Sequence, residues 1–100
     1  MLKSNKGDVQ MIKTIMLDNS KYIVEINISN MDYVSKYIYN TTDIYSNLIR
    51  SKLCVCICSF ILPSKYGRKF IIKSEEGKRK AIDSLNIIDY EKLINNILIA

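Results

Sequence analysis

Three cysteines at alternate positions, Cys54, Cys56 and Cys58, are the first residues whose type and spacing suggest chemistry. On an extended strand their side chains share one face, and neighbours stand about 7 Å apart because a strand rises about 3.3 Å per residue. That separation is too large for an unstrained disulfide. A thiolate metal centre wants four ligands, and the chain has no fourth cysteine and no histidine, so such a centre would have to be shared with a second copy. Set among Val55, Ile57 and Phe60, the thiols fit core packing better than metal or redox work.

The absence of histidine reaches further. It excludes His-based general acid and base catalysis, Ser-His and Cys-His nucleophile pairs, and His metal sites. Gly7, Gly67 and Gly77 stand alone, so neither a P-loop nor a dinucleotide-binding glycine motif is present. Glu75 and Glu76 adjoin in a helix start, while Asp83, Asp89 and Glu91 occupy helix positions facing water. Capping and dipole complementarity account for these carboxylates better than hydrolysis does. No cofactor and no metal is expected.

Positive charge is the strongest signal. Between Arg50 and Lys80 nine Lys or Arg face two Glu, a local charge of +7, while the remainder carries −2. The candidate partner-binding residues are Lys65, Tyr66, Arg68, Lys69, Lys73, Lys78, Arg79 and Lys80. A hairpin tip reading Ser64-Lys65-Tyr66-Gly67-Arg68-Lys69, near a helix start with Lys78-Arg79-Lys80, would offer phosphate contacts with Tyr66 free to stack on a base. Lysines at strand edges and turns also serve solubility and edge protection alone. Tyr66, Arg68 and Lys69 together are the residue types of a histidine-free RNA-cleaving site. Tyr33, Tyr37, Tyr39, Tyr45 and Tyr90 add the residue type enriched at protein interfaces.

These side chains must be placed by secondary structure. Met11 to Leu17, a turn at Asp18 to Lys21, and Tyr22 to Ile28 predict a hairpin with Leu17 facing Tyr22, Ile15 facing Val24, Thr14 facing Glu25 and Ile12 facing Asn27. One face is apolar and the other mostly polar. Ser29 and Asn30 precede a helical stripe of Met31, Val34, Ile38, Tyr45 and Leu48, a helix of about 20 residues that Asn40-Thr41-Thr42-Asp43 would kink or divide in two. Leu53 to Leu62 is apolar on both alternating faces, which predicts a central strand. Pro63 ends it, and Arg68 to Lys73 forms its partner with Phe70 and Ile72 inward. Ser74 caps a helix running to Leu85, Asn86 is expected to terminate it in the left-handed conformation, and Asp89 caps a last helix with a stripe of Tyr90, Leu93, Ile94, Ile97 and Leu98.

The predicted fold is therefore α+β, β-β-α-β-β-α-α, with a sheet of about four strands and helices on one face. Reading Asn95 to Ala100 as a strand gives the runner-up, a ferredoxin-like split βαβ with an added N-terminal strand. At 100 residues with 48% apolar and 25% charged side chains, one domain is expected, with residues 1–9 as a flexible lead. The N-terminal residues show no secretory-signal pattern, and the ten-residue apolar run is half a membrane span, so a soluble cytoplasmic chain with no membrane partner is expected. The glycosylation patterns at Asn27 and Asn40 are then coincidental.

Ile, Lys, Asn and Tyr make up nearly half the chain, and all four have AT-rich codons, a bias frequent in viruses, mobile elements and certain bacteria. The function expected from these features is a small non-enzymatic binding protein, an accessory or inhibitor acting on a host protein or nucleoprotein through a basic, tyrosine-rich surface. A direct nucleic-acid-binding module using residues 64–80 is the first alternative, and a histidine-free ribonuclease the second. A homodimer is the other candidate assembly.

Overall fold

The structure, a computed structural model, describes residues 11–64 and 66–98. Residues 1–9, expected to be a flexible lead, lie outside that range, as do Lys65, Ile99 and Ala100. The chain is an α+β domain. Its elements run β1 (Ile12–Leu17), β2 (Tyr22–Asn27), one 3₁₀ turn (Ile28–Asn30), α1 (Met31–Asn40), α2 (Asn47–Cys56), β3 (Ile57–Pro63), β4 (Lys69–Ile72), α3 (Glu75–Ser84) and α4 (Ile87–Ile97). Each hairpin is thus followed by two helices.

The four strands form one antiparallel sheet in chain order, so β1 and β4 are its edges. The first hairpin has the predicted register, with Leu17 opposite Tyr22, Ile15 opposite Val24, Thr14 opposite Glu25 and Ile12 opposite Asn27. Lys21, at φ 60°, gives the connecting loop its left-handed residue. A bulge between Glu25 and Ile26 shifts the pairing with β3. Ile15, Leu17, Val24, Ile26, Ile57 and Phe60 point from the sheet into one buried cluster, where Met31, Val34, Ile38, Ile49, Leu53, Ile82, Leu93 and Ile97 meet them from the helices.

The predicted 20-residue helix is two helices. Asn40 to Asp43 divides it, because Thr41 Oγ1 donates to Asp43 O and accepts the Asp43 amide while Asp43 Oδ1 accepts the Tyr45 amide, a turn that competes with the helical ladder. Ser46 then caps α2 by accepting the Ile49 amide. Once restarted, the helix runs through Cys56, so the predicted strand Leu53 to Leu62 is corrected to a helical turn followed by a strand from Ile57. A short apolar run fits either state, and here Ile49, Leu53 and Cys56 share one buried helical face while Val55 is exposed.

The second half of the chain also departs from the predicted pattern. Phe70 does not point into the core, being 65% exposed at the far end of β4, whereas Ile72 packs against the core. Asn86 is not a left-handed terminator: it is extended at φ −72°, and its side chain caps α4 by accepting the Asp89 amide. Asp89 is consequently inside the first turn of α4, buried, and accepts a hydrogen bond from Ser20 Oγ. α4 continues through Ile97, which removes a strand beginning at Asn95. The solvent face of the sheet also has more apolar surface than expected, since Met16, Ile23, Ile61 and Ile71 lie in one cross-strand row.

Candidate functional site

The predicted basic cluster separates in three dimensions into cations that the fold consumes and cations that it leaves exposed. Lys78, expected at the surface, is 6% exposed. Its ammonium donates to Cys54 O at 3.0 Å and Ile57 O at 2.7 Å, and pairs with Glu75 at 2.7 Å. A lysine has three donors, and all three have acceptors here. Two of those acceptors lie at the C-terminal end of α2, whose last carbonyls have no helical partner and whose dipole end favours a cation.

Arg79 is similarly occupied. It reaches Asp83 at 3.1 Å, Ser51 Oγ at 3.1 Å and Asn47 Oδ1 at 2.8 Å, tying α3 to α2. Arg50 meets the same Asp83 at 2.9 Å and lies over the Tyr90 ring. The Arg50 hydrogen bond, supported by the one from Arg79, holds the Asp83 carboxyl below its ordinary range and outweighs the burial that opposes it. Lys80 pairs with Glu76 on the exposed side of α3.

Two tyrosine clusters complete the helical side. Lys52 sits 4.3 Å from the centre of the Tyr37 ring and donates to Tyr33 Oη at 3.0 Å. That hydrogen bond lowers the Tyr33 phenol and raises the Lys52 ammonium from their usual values. Beside them a shallow groove of about 330 Å³ is lined by Lys36, Tyr37, Asn40, Thr41 and Leu48. Tyr45 stacks on Tyr90 and donates to Glu91, joining the start of α2 to α4. Tyr39 is exposed.

The exposed cations lie at the β3–β4 hairpin. Ser64 N donates to Arg68 O, Gly67 N bonds back to Ser64 O, and Gly67 turns the chain at φ +76°, a conformation that costs other residues more. Tyr66, at the tip, is 88% exposed. Arg68, Lys69 and Lys73 are all exposed, and none has an ion pair among the described residues. Phe70 and Ile71, the latter 52% exposed, add apolar surface on opposite faces of β4, Phe70 on the side of Ile72 and Ile71 in the row of Ile61. Of the eight sequence-predicted site residues, the structure therefore groups Tyr66, Arg68, Lys69 and Lys73 on one edge and turns Lys78 and Arg79 inward. Lys80 is placed apart on α3.

The cysteines do not share a strand face, because Cys54 and Cys56 belong to α2 and Cys58 to β3. Cys56 is buried, and desolvation pushes its thiol up to about 12; burial also raises Cys54 and Cys58. Protonated thiols are poor nucleophiles and poor ligands. Among the described residues no group of three His, Cys, Asp or Glu side chains converges to hold a metal, and no helix is long and apolar enough to cross a membrane.

Sequence reasoning missed the roles of Lys78 and of Lys13, whose Nζ donates to Asn96 O at the end of α4. For Lys78 a signal existed: it lies three and four residues before Ala81 and Ile82, on the buried stripe of α3. Comparison with protein-family models, with curated proteins and with solved structures returned no match.

Proposed function

We propose that this chain is a non-enzymatic binding protein that docks on an acidic surface of a partner protein or nucleoprotein through the β3–β4 hairpin. One observation supports this above others: Arg68, Lys69 and Lys73, uncompensated by any described carboxylate, border the exposed Tyr66, Phe70 and Ile71. Aromatic and arginine side chains are the usual anchors of such contacts, and uncompensated charge speeds encounter with a partner of opposite sign. The AT-rich residue usage fits a viral or mobile-element source, with a host protein or nucleoprotein as partner. Tyr66 in open solvent lacks the desolvated surroundings that make a catalytic group effective, which favours binding over RNA cleavage.

A second reading, direct contact with nucleic acid, draws on Tyr66, whose ring is free to stack beside Arg68. Fluorescence anisotropy distinguishes the two. Labelled poly-glutamate and labelled single- and double-stranded oligonucleotides are titrated at low and moderate salt, with the wild type and an Arg68→Ala, Lys69→Ala, Lys73→Ala variant. The docking reading expects poly-glutamate binding that weakens at least about tenfold in the variant. Tight oligonucleotide binding with a steep salt slope, abolished further by Tyr66→Ala, would favour the nucleic-acid reading. Equal behaviour of variant and wild type sinks both.

A further inference from the structure

The free edge of β4 is phased to accept one more strand. In an antiparallel pair, residues that exchange hydrogen bonds alternate with residues whose backbone groups point the other way. Ser64 N bonds to Arg68 O, and the same register pairs Leu62 with Phe70 and Phe60 with Ile72, so Arg68, Phe70 and Ile72 bond inward to β3. Pro63, opposite Lys69, sits where a strand residue directs no amide toward β4, so its missing N–H leaves this ladder intact. The N–H and C=O groups of Lys69 and Ile71 therefore face outward along the sheet edge.

The two edges of the sheet differ. β1 is held under α4 by Lys13 to Asn96 O and by the Ser20–Asp89 bond just beyond its end. β4 has β3 on one side, and only its last residue, Ile72, packs on the core. Strands at exposed edges are commonly protected by charges or cover, yet here Phe70 and Ile71 stand exposed between the cations.

We infer that β4 binds an extended, acidic segment of a partner protein by strand addition, with the pattern acidic-x-apolar-x-acidic. The inference rests on the docking function proposed above and specifies its mode. Ile71 ends the apolar row that runs through Met16, Ile23 and Ile61, so an added strand continues that row with an apolar residue beside Ile71. Lys69 and Lys73, two positions either side of Ile71, then face the acidic residues of the pattern. A second copy of this chain is the wrong occupant, because pairing two β4 edges brings both sets of Arg68, Lys69 and Lys73 within about one strand spacing, roughly 5 Å, across the seam.

The probe is a synthetic peptide of glutamate-threonine-valine-threonine-glutamate repeats, compared with the same peptide carrying lysine for glutamate. Backbone amide exchange is followed by NMR in the full-length protein. The expected result is saturable binding of the glutamate peptide, at least about tenfold weaker for the lysine peptide. On binding, the Lys69 and Ile71 amides slow at least about tenfold, while Phe70 and Ile72, already bonded to β3, change little. Ile71→Pro, which removes an outward donor, weakens binding at least about tenfold beyond Ile71→Ala, which removes only the side chain. Binding of the glutamate peptide without new protection at Lys69 and Ile71 overturns strand addition and leaves charge-based docking standing. Failure of that peptide to bind, together with failure of poly-glutamate, overturns both. Protection of these amides in the free protein that depends on its concentration assigns the edge to a second copy and overturns the acidic occupant.

Discussion

At the residue scale, the most consequential side chain is one that composition alone presents as surface charge. Lys78 places an ammonium under the end of α2, where it satisfies carbonyls that the helix cannot. Removing one partner of a buried hydrogen bond leaves the other with the full cost of desolvation, about 1–3 kcal/mol. Two carbonyls lose their partner together in Lys78→Met, a change of similar length, so a loss of about 2–3 kcal/mol is expected from urea unfolding. Lys80→Met, two residues on and on the exposed face of α3, removes an exposed pair with Glu76 and is expected to leave the unfolding midpoint unchanged within error. Equal effects of the two substitutions would contradict the cap. The same scale explains the thiols, since Cys54 and Cys56 fill space between α2 and the sheet rather than present sulfur to a ligand.

At the element scale, boundaries follow from local hydrogen bonds more than from hydrophobic period. Ser46, Ser74 and Asn86 each stand at a helix start in extended conformation and accept an amide of the first turn. Gly77 shows where packing overrides propensity. A Cβ at this position in α3 would lie 2.7 Å from Ile72 Cγ2 and 2.8 Å from the capping Ser74 Oγ. Replacing glycine by alanine inside a helix ordinarily stabilises by about 0.5–1 kcal/mol. Overpacking against a stiff β-branched side chain costs about 1–3 kcal/mol, so the second effect wins. Gly77→Ala is expected to lower stability by about 1 kcal/mol, and a rise in Tm would show that Ile72 yields freely.

At the scale of the whole molecule, contacts distant in sequence set the response to pH. Tyr90 is packed in the core with its hydroxyl donating to Ile44 O, and burial raises its phenol to about 12. An unfolded tyrosine ionises near about 10, so the fold favours the neutral phenol. Its contribution to stability is fully present below about pH 10 and is lost as pH rises through about 12. Asp83 has the opposite sign. Its lowered carboxyl adds stability above the ordinary carboxylate range, and this is lost as pH falls through its folded value. Thermal melts across pH are expected to show an alkaline decline that Tyr90→Phe flattens and an acid decline that Asp83→Asn flattens. A Tyr90→Phe profile parallel to wild type would refute the assignment.

The α+β class, the first hairpin with its register, the Ser74 cap and the apolar stripe of α4 were all legible in the sequence. These depend on neighbours in the chain: a turn fixes which strand residues oppose each other, and a cap bonds within its own first turn. The sequence also carried the warning at Asn40 to Asp43, which the structure resolves as two helices. Tertiary structure decided the rest. Leu53 to Cys56 suited helix and strand equally, and the outcome rested on which face met the core. The division of the basic cluster was likewise invisible in sequence, because a lysine's role depends on whether carbonyls and carboxylates from other elements converge on it. Lys78 meets the end of α2 across the fold, while Lys69, on the outermost strand, has no further element beside it among the described residues.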